Sequence, residues 1–270
     1  MKIAITGSNG YLGRHIVNEA LERGHEVVSI DRDNSSVDIF DTQQNMFDAL
    51  EQPDVLLHLA WRDGFKHNSD AHMGDLSSHY NFLENFMANG GRRVAVMGSM
   101  HEIGYWEGAI DENTPCNPLS HYGIAKNALR QSAQLLAAEH DAQLYWLRGF
   151  YIYGDDAGGN SIFSKIVQAV SEDKKEFPFT TGKNKYDFLP IEEFARRAIA
   201  AVTQDEITGV INICSGKPVS LAEQVEDYIK SNNYDIALKY GAFPDRPYDS
   251  PCVYGDDTKI TQILENETTR

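Results

Sequence analysis

The stretch Thr6-Gly7-Ser8-Asn9-Gly10-Tyr11-Leu12-Gly13 constrains the fold of this chain more than any other. Its glycines stand three residues apart, directly after the apolar run Lys2 to Thr6 and at the start of a helical pattern over Tyr11 to Arg23. The first glycine permits a tight turn, the second lets backbone amides approach a pyrophosphate, and the third lets the helix pack close to the strand. Such glycines also suit a plain turn. Their place between a strand and a helix is what points to a dinucleotide, with Gly7, Asn9, Gly10, Tyr11, Leu12 and Gly13 as the expected cofactor turn.

The same strand-helix alternation continues. Glu26 to Asp31 and Asp54 to Leu59 read as strands, followed by a helix over about 74–89, a strand at Arg93 to Gly98, a helix from Pro118 to His140 and a strand at Gln143 to Arg148. Near-continuous apolar runs suit strands covered by helices on both faces. The alternation predicts an α/β fold with a doubly wound parallel sheet and right-handed crossovers. Beyond Tyr153-Gly154 the rhythm loosens into shorter elements at Ile162 to Ser171, Tyr186 to Pro190, Glu192 to Thr203, Gly209 to Ile213 and Ser220 to Lys230. This predicts an NAD(P)-binding domain over 1–154 and a smaller C-terminal substrate-binding portion over 155–270, interleaved with the sheet. A chain of 270 residues suits that plan and is too short for two large independent domains.

Charge narrows the partners. With 24 basic against 40 acidic residues and a formal net charge of −16, the chain repels phosphate backbones and anionic lipid, so no nucleic acid or membrane partner is expected. An anionic small ligand needs local compensation from Lys, Arg or helix N-terminal amides. Cys116, Cys214 and Cys252 lie far apart, outside any metal-ligand spacing, and read as free thiols with no metal site. The absence of a basic-then-apolar leader before the first strand, and of any membrane-length apolar run, leads to an expected cytoplasmic location.

Asp31 closes the second strand, 18 residues after Gly13, where a carboxylate accepts hydrogen bonds from the adenosine ribose hydroxyls. That favours NAD(H), because a 2′-phosphate would meet a like charge. Arg14 and Arg32 keep NADP(H) open, and a solvated turn carboxylate is the plainer alternative for Asp31.

Tyr122 and Lys126 stand four residues apart, on one face of a helix. The pair is common by chance and becomes informative through Ser99, just past the fourth strand, since strand ends at the carboxyl edge of a parallel sheet bind ligands. A free tyrosine titrates near pH ~10. A lysine ammonium about 5 Å away, at an effective dielectric of about 20, stabilises the phenolate by roughly 3 kcal/mol and lowers that value by about two. Tyr122 then exchanges a proton with a substrate hydroxyl or ketone, and Ser99 holds that oxygen.

At these residues the chain resembles the extended short-chain dehydrogenases/reductases, in the branch of nucleotide-sugar epimerases, dehydratases and 4-ketoreductases, which have a Rossmann fold. The resemblance rests on Gly7, Gly10 and Gly13, on His58-Leu59-Ala60, on Ser99 before Ile103-Gly104, and on Tyr122 with Lys126. Leu147 to Gly154, Asp187-Phe188 and Ile191 to Glu193 extend it over nearly the whole chain. It implies a Ser99, Tyr122, Lys126 catalytic group, with Lys126 also on the nicotinamide ribose. Asp38 and Ile39 resemble the pair that meets the adenine, Leu59 and Ala60 line the cofactor groove, Met100 adjoins Ser99 at the substrate, and Arg246 resembles the arginine that contacts the sugar nucleotide's diphosphate. A homodimer paired through the helices over about 74–89 and 118–140 is also implied.

Departures from that pattern bear on the reaction. Met100 and His101 replace the Asp and Glu with which dehydratases of this branch remove water, which disfavours a 4,6-dehydratase. Asp75 replaces a frequent Asn, and Tyr186 a frequent Arg. His101 reads as locally packed, His121 as facing away from Tyr122, and Trp61, Tyr105 and Trp106 as framing the substrate or as packing. The expected activity is that of a 4-ketoreductase, favoured by the small substrate portion. A 4-epimerase using the same residues is the alternative, and a non-catalytic dinucleotide-binding regulator a third reading.

Overall fold

The structure is a computed structural model and describes residues 1–33, 35–154, 161–244 and 249–269. The elements run β1 (Lys2–Thr6), α1 (Tyr11–Glu22), β2 (Glu26–Ile30), α2 (Met46–Ala49), β3 (Val55–His58), α3 (Ala71–Gly74), α4 (Leu76–Ala88) and β4 (Arg93–Ser99). After a 3₁₀ turn at Met100–Glu102 come β5 (Gly108–Ile110), α5 (His121–Glu139), β6 (Gln143–Gly149), β7 (Tyr151–Tyr153), α6 (Ile162–Ser171), β8 (Glu176–Pro178) and β9 (Lys185–Pro190). The chain finishes with α7 (Ile191–Val202), β10 (Gly209–Ile213), β11 (Pro218–Ser220), α8 (Leu221–Ser231), β12 (Ala237–Lys239), β13 (Cys252–Gly255) and α9 (Thr258–Thr268).

Six strands form the main sheet in the order β10-β6-β4-β3-β1-β2. Every pairing in it is parallel. The apolar runs divide by the two-residue alternation of a strand. Ile3, Ile5, Val55, Leu57, Ala95, Met97, Tyr145 and Leu147 face a core completed by α1, α7 and α9. Their neighbours Ala4, Leu56, Val94, Val96, Leu144 and Trp146 face a second core completed by α2, α4 and α5. Burial on both faces is why these strands read as continuous apolar segments, and each fully buried Ile or Leu contributes about 1.5–3 kcal/mol.

The chain after residue 154 is interleaved with the main sheet. The helix α7, the strand β10 and the helix α9 return to the main sheet, with Ile211, Ile213, Phe194 and Ile260 in the same core as Ile3 and Ile5. A mixed five-stranded sheet, ordered β11-β9-β13-β5 with β7 beside β9, carries a third apolar cluster around Phe150, Phe163, Phe188 and Val253. Met100 after β4, Phe150 between β6 and β7, and Cys214 after β10 all pack in that cluster, so the carboxyl ends of these main-sheet strands face the smaller layer.

The helix α5 starts later than the expected Pro118. Ser120 caps it, its hydroxyl accepting the Gly123 N–H at 3.2 Å. Capping by Ser, which satisfies an otherwise orphaned amide, outweighs the proline as a start signal here. Short strands such as β5 and β13, together with α9, have no counterpart in the sequence reading.

Candidate active site

The glycine turn is built by close approach. A Cβ on Gly13 would lie 2.0 Å from the Gly7 carbonyl oxygen, so only glycine lets α1 begin this near the turn. The turn also lies against the end of β3, where a Cβ on Gly7 would come within 2.9 Å of Ala60 Cα. Gly10 is the N-cap of α1 and no side chain among the described residues caps the helix, which leaves first-turn amides to a ligand. The Ser8 hydroxyl in this turn is buried without a hydrogen-bond partner among the described residues. Asp31 stands beside it, one carboxylate oxygen accepting the Asn9 N–H at 3.2 Å. An orphaned hydroxyl, an uncapped helix start and an adjacent carboxylate together fit the pyrophosphate and ribose of a dinucleotide.

The remaining candidates on this side vary in placement. Tyr11 donates its hydroxyl to the Gly154 carbonyl at 2.8 Å, tying α1 to the end of β7. Leu12 and Leu59 pack against the core below the turn, and Ala60 donates its N–H to Thr6 Oγ1 at 3.3 Å. Arg32 and Asp38 are exposed, Asp38 accepting the Phe40 N–H at 2.9 Å, while Ile39 packs against the second core. Arg14 lies over the Tyr11 ring, 5.6 Å from its centroid.

Ser99 ends β4 in extended conformation and caps the 3₁₀ turn, its hydroxyl accepting the His101 N–H at 3.3 Å. Glu102 closes the other half of this capping box by accepting the Ser99 N–H at 2.6 Å. The Glu102 carboxylate is fully buried. It also accepts the Trp146 indole N–H, at 2.9 and 3.0 Å, and faces Arg148 at 3.5 Å and Arg130 at 3.7 Å.

Gly123 lets α5 reach this turn. A Cβ there would lie 2.2 Å from the His101 carbonyl oxygen, so the glycine between Tyr122 and Lys126 brings both residues against Ser99. Ser99 lies close enough to the Tyr122 phenol to favour its ionised form. Lys126 reaches under the helix, donates to the Met97 carbonyl at 2.8 Å and lies 6.0 Å from the Tyr122 ring centroid. The structure thus brings Ser99, Tyr122 and Lys126 together at the carboxyl edge of β4.

The electrostatics differ from the simple pairwise expectation. Burial pushes the Tyr122 phenol up to about 12, against the opposing effect of Ser99 and with help from the Glu102 charge. Burial also takes the Lys126 ammonium down to about 7, with Glu102 acting to raise it. The expected fall of the Tyr122 value by its lysine alone is therefore corrected: desolvation of both groups outweighs their attraction.

Among the other candidates, Met100 is buried in the third apolar cluster. Tyr105 is exposed and hydrogen-bonds Glu107, while Trp106 donates to the Ala109 carbonyl at 2.9 Å and packs against the third apolar cluster. Arg246 lies outside the described residues. Asp75 pairs with Arg62 at 2.9 and 3.0 Å, and Tyr186 stacks near Tyr151 at 4.4 Å. His121 is exposed.

Sequence reasoning missed a shell of imidazoles. His67 stacks on the Tyr122 ring at 5.3 Å with 12° between planes, and its carbonyl accepts the Tyr122 N–H at 2.9 Å. His101 meets His67 edge-on at 4.3 Å, and His72 meets Tyr122 at 5.3 Å. Burial holds His101 down to about 4, so that imidazole is neutral at physiological pH. The available signal was density: four of the nine histidines fall between residues 58 and 79.

A doubly wound sheet with a dinucleotide turn at β1 and a serine, tyrosine and lysine gathered past β4 defines a short-chain dehydrogenase type of protein. The model of the NAD dependent epimerase/dehydratase family matches residues 3–214, and the chain belongs to that family, within the extended short-chain dehydrogenases/reductases. It is 42% identical over 269 residues to the dTDP-6-deoxy-L-talose 4-dehydrogenase (NAD(+)) of Aggregatibacter actinomycetemcomitans, covering 94% of this chain and 99% of that protein. Its fold is similar to that of the UDP-N-acetylglucosamine 4-epimerase from Methanobrevibacter ruminantium, with a TM-score of 0.83 at 20% identity, covering 97% of this chain and 91% of the other. The UDP-glucuronic acid 4-epimerase from Bacillus cereus, solved with UDP-glucuronic acid and NAD, gives a TM-score of 0.80 at 22% identity over 98% of this chain and 93% of that one. No helix among the described residues is long and apolar enough to cross a membrane.

Proposed function

We propose that this chain is an NAD-dependent oxidoreductase acting at C4 of a nucleotide-linked 6-deoxyhexose, as a 4-dehydrogenase in one direction and a 4-ketoreductase in the other. The observation that carries this reading is the gathering of Ser99, Tyr122 and Lys126 at the sheet edge in a chain 42% identical to a 4-dehydrogenase of a dTDP-linked 6-deoxy sugar. The dinucleotide, when bound, takes or gives the hydride at C4. The first-turn amides of α1 and the Ser8 hydroxyl receive its pyrophosphate, Asp31 its adenosine ribose, and Asp38, Ile39, Leu59 and Ala60 border its groove.

Ser99 and Tyr122 converge on the C4 oxygen. Tyr122 takes the hydroxyl proton as the sugar is oxidised and returns one to the ketone oxygen as it is reduced, while Ser99 donates a hydrogen bond to that oxygen. Lys126, as an ammonium, stabilises the phenolate and so counters part of the burial that opposes it. Arg246 is our proposed contact for the substrate's diphosphate, and Met100 lines the site through its backbone beside Ser99. The exposed apolar side chains Tyr80 on α4, and Ile124 and Leu135 on α5, support a homodimer through these two helices. Three unpaired cysteines support a reducing, cytoplasmic location.

Incubation with NAD⁺ and a panel of nucleotide-linked hexoses tests the reading. Reduced dinucleotide should accumulate with a 6-deoxyhexose linked to dTDP. Its absence with every sugar of the panel would overturn the proposal.

A further inference from the structure

Trp61, the residue after Ala60, is held in place by this chain's own side chains. Its indole N–H donates to His72 Nδ1 at 3.0 Å, and His72 Nε2 meets the Lys66 carbonyl at 2.9 Å. A ring that accepts at Nδ1 and donates at Nε2 is a neutral imidazole, so the tautomer of His72 is set by these two bonds. His79 stacks on the same indole at 4.5 Å with 13° between planes. His79 in turn meets His58 at 2.9 Å, and His58 meets Thr6 Oγ1 at 2.7 Å. A chain of contacts therefore fixes Trp61 from the end of β1 to α4.

The Lys126 ammonium lies over this ring, 3.7 Å from its centroid. Lys126 is almost wholly buried, and among the described residues its hydrogen-bond acceptor is the Met97 carbonyl, with no carboxylate in ion-pair contact. Other groups face it from each neighbouring element. Glu102 acts from the 3₁₀ turn without touching it and is already shared with Arg148 and Arg130. Tyr122 lies on its own helix, His58 comes from β3 and His79 from α4, and burial keeps His79 near 3 and His58 well below its ordinary value. None of these supplies a counter-charge in contact. The indole face does, because its quadrupole presents negative potential to a cation.

We propose that Trp61 is a positioning residue whose π face serves as the counter-charge of Lys126, fixing the ammonium beneath Tyr122 and favouring its charged form. The proposal rests on reading Lys126 as the ammonium that assists Tyr122. Without the indole, burial is opposed by Glu102 at a distance but by no group in contact, and a larger share of the protein carries the lysine uncharged at neutral pH. The phenol then loses the partner that makes it an effective proton acceptor.

The test is an NMR titration of the lysine side chains in wild-type protein and in Trp61→Leu and Trp61→Phe, with no sugar or dinucleotide present. In wild type, the Lys126 ε-methylene protons should be shifted upfield by the indole ring current. The Lys126 midpoint should fall by about one to one and a half pH units in Trp61→Leu and by less in Trp61→Phe, which keeps an aromatic face. The acid limb of kcat/KM for sugar oxidation should rise in the same order. An unchanged Lys126 midpoint in folded Trp61→Leu overturns the proposal. So does a wild-type spectrum without the upfield shift, which decides the matter even if the leucine variant does not fold. If the midpoint falls as expected while Lys126→Met retains wild-type turnover, the positioning by Trp61 stands and the role given to Lys126 under Proposed function fails.

Discussion

The Ser99 backbone N–H donates to Glu102 Oε1 at 2.6 Å, so a fully buried carboxylate fixes the strand end that presents the candidate site's serine. The same carboxylate is the partner of Arg148, which is itself 1% exposed. The turn that shapes the site thus depends on a buried charge.

Replacing Glu102 by Gln keeps the shape of the side chain and strands that arginine. Breaking one partner of a buried pair costs about 3–5 kcal/mol, and Glu102→Gln should lose stability on that scale. Urea unfolding measures it. A loss of under about 1 kcal/mol, the scale of an exposed pair, would show that the carboxylate is not the anchor of this turn.

His58 and His79, buried at the end of β3 and on α4, make stability depend on pH. Burial lowers both, His79 to about 3 from an ordinary 6.5. The unfolded chain therefore binds protons below about pH 6.5 that the folded chain refuses, and stability present at neutral pH is lost as pH falls from there towards 3. Each histidine adds a slope of up to about 1.4 kcal/mol per pH unit in that window. Unfolding measured between about pH 7 and about pH 5 should show a shallower slope in His79→Asn than in wild type. Parallel slopes would mean that His79 is charged in the folded protein.

The sheet was legible because its strands are buried on both faces, which makes β1, β3, β4 and β6 continuous apolar runs. The strands β5, β7 and β13 were not legible: with three or four residues each, they are too short to show a period. The start of α5 was misplaced because a cap depends on where the Ser120 hydroxyl points, and a proline nearby imitates the signal. Ser99, Tyr122 and Lys126 were singled out by spacing and order, and the structure brings them together. Their acidities were not legible, because spacing along a helix says nothing of how deeply α5 sinks against the turn at His101. The Trp61 and histidine shell escaped for a similar reason. It is assembled from the end of β3, the loop after it, α3 and α4, and no single segment carries its pattern.

Asp31, whose carboxylate accepts the Asn9 N–H beside the glycine turn, should set the cofactor preference. A 2′-phosphate placed against it is a like-charge contact, and NADH should bind about tenfold or more tighter than NADPH. Fluorescence titrations with both decide this. Tighter binding of NADPH would mean that Arg14 and Arg32 outweigh the carboxylate.

Tyr122→Phe removes the phenol and keeps the ring that His67 stacks on. Turnover should fall by about two orders of magnitude or more, with the unfolding midpoint and dinucleotide affinity close to wild type. Near-normal turnover in this variant would remove Tyr122 from the proton transfer.

Hydride transfer to C4 is the central claim, and reduced dinucleotide carrying deuterium at the transferable position tests it most directly. The purified enzyme is mixed with this cofactor and a nucleotide-linked 4-keto-6-deoxy sugar, and both the absorbance of the reduced nicotinamide and the mass and NMR spectra of the sugar are followed. The account predicts one cofactor consumed per sugar, a new hydroxyl at C4 and deuterium bound to that carbon. No consumption, together with inversion at C4 of a plain nucleotide hexose by the enzyme without added cofactor, would contradict it and assign the site to an epimerase.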